Sequence, residues 1–545
     1  MNFSNKNRQH FLEQLTNQSF DLLVIGGGIT GCGIALDAAL RGMKVALVEK
    51  NDFASGTSSR STKLIHGGLR YLKQFELGLV HQMGRERAVV YQNARHLVIP
   101  EKMLLPIEEG GSLGKSAISL ALLAYDFLAG IRRKEHRKML DKRETMTTEP
   151  LLNPEELIGG GLYYEYRTDD ARLTIEVAKS AYASGALLLN YLEAKEFLYD
   201  ENKKIEGIKG LDKISGREIE FRATVVVNAT GPWVDLLRKE DNSLKGKRLQ
   251  LTNGVHLVVS IKKLSLKQAA YFDVGDGRMI FAIPRGEITY IGTTDTVYNK
   301  SIDSPYCTRE DAQYLLDAVN RIFAIEPLQL SDIESTWAGL RPLIFEDGKS
   351  PEDISRKDEI IHSSSGLISI AGGKLTGYRV MAEKTVDILV KYLNGNFKPC
   401  RTRETRLSGG DFKNDNDLKE TLKHLMSEGE QAEIPAIKIQ EWFYRYGRNT
   451  TAIIETVKKL TSIIKTEDTK YDEAELQYCI EHEMVYHLND YLIRRSGRLF
   501  FERKQYEIRI APLAHYIGKE LGLNETDTQK MVTETRQEFD KAVGF

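Results

Sequence analysis

The chain has 545 residues, 41% hydrophobic and 28% charged, with 76 Lys and Arg against 77 Asp and Glu. That length can bury a large core in two to four domains, and a net charge of −1 gives no positive field of the kind that gathers nucleic acid, which argues against a polynucleotide partner. Cys32, Cys307, Cys400 and Cys479 are scattered without a C-x-x-C pair, so neither a disulfide framework nor a zinc knuckle is indicated and a reducing cytosol suits the chain. Residues 1–19 are polar, lack the apolar centre of a signal peptide, and read as a leading helix or arm.

Phe20 to Lys50 reads as strand, glycine turn, helix and second strand. The apolar run Leu22 to Ile25 enters the turn, and Gly26, Gly28 and Gly31 stand at G-x-G-x-x-G spacing. The first glycine permits the tight turn, the second lets backbone approach a pyrophosphate, and the third lets the helix sit close on the strand. The helix N-terminus then faces the phosphate charge. Gly42 stands where a helix C-cap belongs. Val45 to Val48 is a buried-type strand, and Glu49 at its carboxyl end lies about 20 residues beyond the glycines, where a carboxylate accepts a ribose hydroxyl. A dinucleotide, FAD or NAD, is expected here.

Next, Ser58 to Tyr71, SSRSTKLIHGGLRY, carries hydroxyls, His66 and the Gly67-Gly68 pair, suited to wrapping a ligand beside the nucleotide. Ser116 to Tyr125, followed by the basic run Ile131 to Lys138, is too short to span a bilayer. It reads as a buried helix with a solvated charged tail, an interfacial helix on anionic lipid being the other reading. Leu173 to Ser184 is helical and stops at Gly185, and Ala186 to Phe197 reads as strand. Ile205 to Ile208 and Glu218 to Phe221 form a hairpin. Ala223 to Ala229 is a buried strand running into Thr230, Gly231 and Pro232. A strand ending in small residues lets a ligand touch backbone at the carboxyl edge of a parallel sheet, which favours a flavin. Gly254 to Ile261, Met279 to Pro284 and Ile288 to Thr294 are β-rich and suggest an inserted antiparallel sheet.

WAGLRP, residues 337–342, is read as a turn leading to Arg341, and Ala371 to Arg379 as a strand-to-helix turn that brings Lys374 and Thr376 close to a ring system. The helix Tyr378 to Leu393 stops at Asn394 and Gly395. Beyond about residue 405 the glycines thin out. Asp417 to Met426, Pro435 to Tyr446, Thr451 to Ile464, Asp472 to Ile493 and Pro512 to Leu521 carry helical periodicity, a separate helical unit. Its His482 and His487 are five apart rather than the four that a zinc-binding H-E-x-x-H requires, so no metal is expected.

GGGITGCGIALDAALRG, SSRSTKLIHGGLRYL, NATGPW, IGTTDT, WAGLRPL and GGKLTGYR, in this order across residues 20–380, closely resemble the FAD-dependent aerobic glycerol-3-phosphate dehydrogenases. The resemblance implies an α/β fold with an FAD-binding Rossmann-type domain of the glutathione-reductase and D-amino-acid-oxidase kind, from residues 19–80, 160–240 and 330–400. It implies an inserted antiparallel substrate domain from 81–159 and 241–329, and an α-helical cap over 405–545. The implied activity is oxidation of sn-glycerol 3-phosphate to dihydroxyacetone phosphate, with electrons passed to quinone at the inner face of the membrane. An oxidase passing them to oxygen is the alternative. Calcium control is not expected, since no D-x-D-x-D-G run follows the cap.

By motif match, Arg70, Tyr71, Arg341 and Lys374 are expected at the substrate, since a phosphate dianion calls for fixed guanidinium and ammonium groups. His256 is the expected base, with His66 as the other candidate. The cofactor contacts implied are Gly26, Gly28, Ile29, Thr30, Gly31, Glu49 and Lys50 in the first motif. Thr57, Ser58, Ser59, Lys63, Leu64, His66, Gly67 and Gly68 follow in the second, then Ala229, Gly231, Gly339, Lys374, Leu375 and Thr376. A cytoplasmic protein in peripheral contact with a membrane surface is implied, and a homodimer is compatible with these readings.

Overall fold

Five apolar segments align in parallel in the order Ile368–Gly372, Glu218–Asn228, Ser19–Ile25, Val45–Val48 and Leu187–Leu189. Val45–Val48 is buried at every position, as strands covered by helices on both faces must be. The helix Ile29–Arg41 packs against Asp170–Ala183 and Tyr378–Leu393. In this computed structural model the described residues are 1–67, 76–110, 118–120, 122–123, 135–345, 358–460 and 467–545.

The strand expected from Ala186 to Phe197 is broken at Asn190 and Tyr191, and Tyr191 has a φ of 55°. Leu187–Leu189 joins the parallel sheet, whereas Leu192–Tyr199 turns away to pair antiparallel with Ile205–Asp212. Polar bonds cause the break: the Asn190 amide donates to Asp52, and the Tyr191 hydroxyl donates to Asp490 of the C-terminal helices.

The second sheet has ten strands among the described residues. It is antiparallel except where Ile99–Glu108 runs parallel to Ala269–Asp273. Its long member, Leu249–Ser260, pairs with Ile288–Gly292 on one side and with Ile333–Ile344 on the other. Leu64–Ile65, Leu157–Arg167 and Ile333–Ile344 all belong to this sheet, although the expected boundaries grouped most of these residues with the nucleotide-binding unit. WAGLRP is therefore strand, and Arg341 stands within it opposite Thr252 rather than after a turn.

The C-terminal region is helical, including Asp415–Gln431, Ala436–Tyr446, Thr450–Leu460, Glu467–His482, Ile510–Leu521 and Glu525–Lys541. The helix expected from Asp472 to Ile493 ends at His482, because Met484 turns with a φ of 57° and Glu483 is committed elsewhere. The Glu483 carboxylate accepts from both terminal nitrogens of Arg172, at 2.7 and 2.6 Å, and from the Lys179 ammonium at 2.9 Å. Asp52 likewise accepts from Arg494 at 2.5 Å and Arg495 at 2.7 Å. These buried pairs join the helical region to the parallel-sheet layer. Glu483 is thus a structural anchor, and among the described residues no His, Cys, Asp and Glu cluster is arranged to hold a metal.

Both ends of the chain are fastened. The Ser4 hydroxyl donates to Ile480 O and the Asn5 amide to Met484 O, while Ala542 O accepts from both the backbone N–H and the hydroxyl of Thr336. No helix among the described residues is long and apolar enough to cross a membrane. Half of Ser116 to Tyr125 and half of the 131–138 run lie outside the described residues; within the described part of the first segment, Ile118 and Leu122 are buried and Leu120 and Leu123 exposed.

Candidate active site

A cavity of about 560 Å³ opens at the carboxyl ends of the parallel strands and is closed by the second sheet. Gly26, Gly28, Ala229, Gly231 and Lys374 line it from the first sheet and Gly254, His256, Phe281 and Arg341 from the second. Ligands of open α/β sheets bind at that carboxyl edge.

At one end stand the glycines. Gly26 has a φ of +114°, and a Cβ there would come within 2.6 Å of Ala229 O. A Cβ on Gly31 would lie 1.9 Å from Gly26 O, so this residue sits beneath the turn and does not line the cavity. A Cβ on Gly28 would meet only Ser58 Oγ, at 3.2 Å, which leaves the turn open for close approach of a ligand. Ser58 accepts from the Ile29 N–H at 3.0 Å at the head of the helix. Glu49 accepts from the Gly27 N–H at 2.7 Å and the Asn51 N–H at 2.9 Å, which aims its carboxylate along the wall; burial pushes that carboxyl up. The Lys50 ammonium pairs with Asp303 at 2.6 Å and lies 4.4 Å from the Trp233 ring centroid.

At the other end, the Arg341 guanidinium donates to Thr294 O and to Asp295 Oδ1, each at 3.1 Å, and to Thr293 Oγ1 at 2.9 Å. It lies across Gly254, where a Cβ would sit 2.3 Å from Nη2. The IGTTDT motif is thus the seat that aims this cation. His256 stands opposite Gly292 and Trp337 in register. Its ring stacks on Trp337 with centroids 4.8 Å apart and planes 8° apart, and lies over Gly292, where a Cβ would reach within 2.1 Å of it. Its Nε2 is 2.9 Å from Thr62 Oγ1. Burial, then Arg341 and Lys63, hold its pKa well below the ordinary histidine value, so the ring is neutral. The Thr376 hydroxyl donates to His66 O and accepts from the His66 N–H, each at 3.0 Å, and Thr57 donates to Leu340 O at 2.6 Å, so hydroxyls clasp the two sheets around the cavity.

Of the residues expected from sequence, Ile29, Thr30, Glu49, Lys50, Thr57, Ser58, Leu64, His66, Gly339, Leu375 and Thr376 line this same cavity, as do the catalytic candidates His256, Arg341 and Lys374. Four do not. Gly31 packs beneath the turn, the Ser59 hydroxyl turns back to Gly56 O, and Gly67 is buried. Lys63, expected at the cofactor, gives its ammonium to Asp170 at 2.5 Å and Ser59 O at 3.1 Å because it is enclosed with that carboxylate. Gly68, Arg70 and Tyr71 lie outside the described residues. Sequence reasoning passed over Thr62, Asp170, Thr293 and Asp295, although all but Asp170 stood within motifs it had singled out.

A Gly-rich turn open at Gly28, an acid at the end of the second strand and a fixed cation beside a neutral histidine define a dinucleotide-dependent oxidoreductase. The model of the FAD dependent oxidoreductase family matches residues 21–379, and that of the C-terminal domain of alpha-glycerophosphate oxidase matches 400–528. The chain is 49% identical over 518 residues to the aerobic glycerol-3-phosphate dehydrogenase of Staphylococcus haemolyticus, covering 93% of this chain and 92% of the relative. It is 42% identical to the glycerol-3-phosphate dehydrogenase of Bacillus halodurans, solved with FAD, with a TM-score of 0.85 over 99% of both chains. An L-alpha-glycerophosphate oxidase of Mycoplasma pneumoniae, 18% identical with a TM-score of 0.55 over 70% of this chain and 97% of that one, shares the fold. The chain belongs to the aerobic glycerol-3-phosphate dehydrogenase family of FAD-dependent oxidoreductases, and its cofactor is FAD.

Proposed function

We propose that this enzyme oxidises sn-glycerol 3-phosphate to dihydroxyacetone phosphate and passes the electrons to a quinone, working from the cytoplasm in peripheral contact with the membrane surface. FAD, when bound, supplies the hydride acceptor. The cradle at Gly28, the carboxylate of Glu49 and the Gly372 to Thr376 turn, which line one cavity, are the residues that would hold it. Arg341 receives the phosphate dianion, a role that the motif resemblance also assigns to Arg70 and Tyr71; a forked guanidinium both binds and orients such a group. Lys374 faces the substrate oxygen, and neutral His256 receives the proton of the C2 hydroxyl.

The observation that carries this reading is the Arg341 guanidinium, held by Thr293, Thr294 and Asp295 on the cavity wall that also bears His256. Anaerobic addition of glycerol 3-phosphate to the yellow holoenzyme is expected to bleach the visible flavin absorbance, and a soluble quinone to restore it much faster than oxygen. Absence of bleaching overturns the substrate; oxygen restoring the colour as fast as quinone turns the reading to the oxidase.

A further inference from the structure

We propose that Thr62 is a catalytic residue, its hydroxyl carrying the proton between the substrate's C2 hydroxyl and His256. This rests on His256 being the base. The ring offers the cavity no unengaged nitrogen: Nε2 is occupied by Thr62 Oγ1 at 2.9 Å, and Nδ1 is enclosed without a hydrogen-bond partner. The face stacked on Trp337 and the contact with Gly292 fix the ring in that setting. Thr62 itself lines the cavity, so it is the group through which a proton from bound substrate reaches Nε2.

The surroundings hold Thr62 rigidly. On one side, Ser61 donates to Asp170 through its N–H at 2.9 Å and its hydroxyl at 2.6 Å, and its carbonyl accepts from Trp337 Nε1 at 3.1 Å. On the other, Lys63 is paired with the same Asp170. The Thr62 carbonyl accepts from the Tyr290 hydroxyl at 3.2 Å. One buried carboxylate therefore fixes both neighbours, and the residue between them presents its hydroxyl to histidine.

The step balances. The C2–H bond breaks with its electron pair, for which bound FAD would be the two-electron acceptor; the C2–O bond becomes a carbonyl. The C2 hydroxyl proton passes to Thr62 Oγ1 as the Thr62 proton passes to His256 Nε2, giving a neutral threonine and an imidazolium. The charged groups facing this ring are Arg341 and Lys63. A phosphate dianion on Arg341 offsets part of that positive field and so favours the imidazolium in the substrate complex.

The test uses the FAD-loaded full-length chain with T62V, which keeps shape and removes the hydroxyl, T62S, which keeps the hydroxyl, and H256Q. Anaerobic stopped-flow reduction by glycerol 3-phosphate should slow in T62V by about 10²- to 10⁴-fold, the usual span for a lost proton-transfer partner, and recover to within about tenfold of the parent in T62S. Nitrogen NMR of histidine-labelled protein, with the His256 ring assigned by its loss in H256Q, should show Nε2 hydrogen-bonded in the parent and T62S but not in T62V. T62V reducing at the parent rate while H256Q is slow overturns the relay and leaves the base in place; H256Q reducing at the parent rate overturns the base. Should T62V fail to fold, the parent's reduction rate against deuterium fraction decides: two protons in flight give a curved dependence, and a straight one overturns the relay.

Discussion

Arg341 shows how little a motif says until its partners are in place. Its guanidinium is aimed by three residues of a turn more than forty positions earlier in the chain, so WAGLRP and IGTTDT, noticed separately in the sequence, are two halves of one device. Because the cation is bound to the second sheet and the glycine cradle belongs to the first, Arg341→Ala should leave flavin content unchanged. It should raise the glycerol 3-phosphate concentration needed for half-maximal reduction by ~10²-fold, the equivalent of one charge-assisted contact. Parallel loss of flavin would show that substrate and cofactor contacts are not divided in this way. The glycines were legible because their spacing is itself a backbone requirement: Gly26 needs its positive φ and Gly31 its missing Cβ whatever lies around them. Thr62 and Asp170 were not legible, since their meaning rests on partners such as His256 and Lys63 that lie far away in sequence.

Elements buried on both faces, such as Val45–Val48, and helices with clear stop signals, such as Tyr378–Leu393 closing on Asn394 in the left-handed conformation, could be read from sequence alone. The broken strand at Ala186 to Phe197 and the shortened helix at Asp472 to Ile493 fail for one common reason. At Asn190, Tyr191 and Glu483 a buried polar side chain bonds to a distant part of the chain and bends the backbone against its local periodicity. Helix Glu525–Lys541 escaped notice because Met531, Val532 and Phe539 supply a sparse apolar stripe in a polar run. The Glu483 junction supports a second prediction. Glu483→Ala would strand Arg172 and Lys179 in the interior, and breaking such a buried pair from one side costs about 3–5 kcal/mol. Denaturant unfolding should register that loss, whereas an exposed pair such as Lys423 and Glu420 should cost less than about 1 kcal/mol when broken. Equal losses would rule out the junction as a main fastening.

For the molecule entire, buried titratable groups set a direction for acid sensitivity. Burial, with Arg172 and Lys179 nearby, holds His96 down to about 3 from an ordinary 6.5, and His256 is also held low. The unfolded chain takes up these protons near pH 6.5 and the folded chain does not. Stability is therefore present above that pH and falls as pH drops, by about 1.4 kcal/mol per unit for each such histidine. Asp52 and Glu475, held at about 2 by arginines that overcome their burial, add a further loss below their ordinary values of 3.8 and 4.5. Glu49, Glu149 and Glu473, raised by burial, oppose it. The urea midpoint should thus decline between pH 7 and pH 5; an unchanged midpoint would contradict the burial of neutral histidines.

The fastening of Ala542 to Thr336 reaches further than the tail of the protein, since Thr336 shares its strand with Trp337 and Arg341. Trimming or extending the carboxyl terminus amounts to pulling a thread that runs straight to the cavity wall, and the opening residues, with Phe3, Ser4 and Asn5 tucked inside, behave like the matching half of a buckle. Affinity handles on either extremity are therefore not innocent bystanders in kinetic work on this enzyme, and a spacer long enough to leave both clasps shut belongs in any such design.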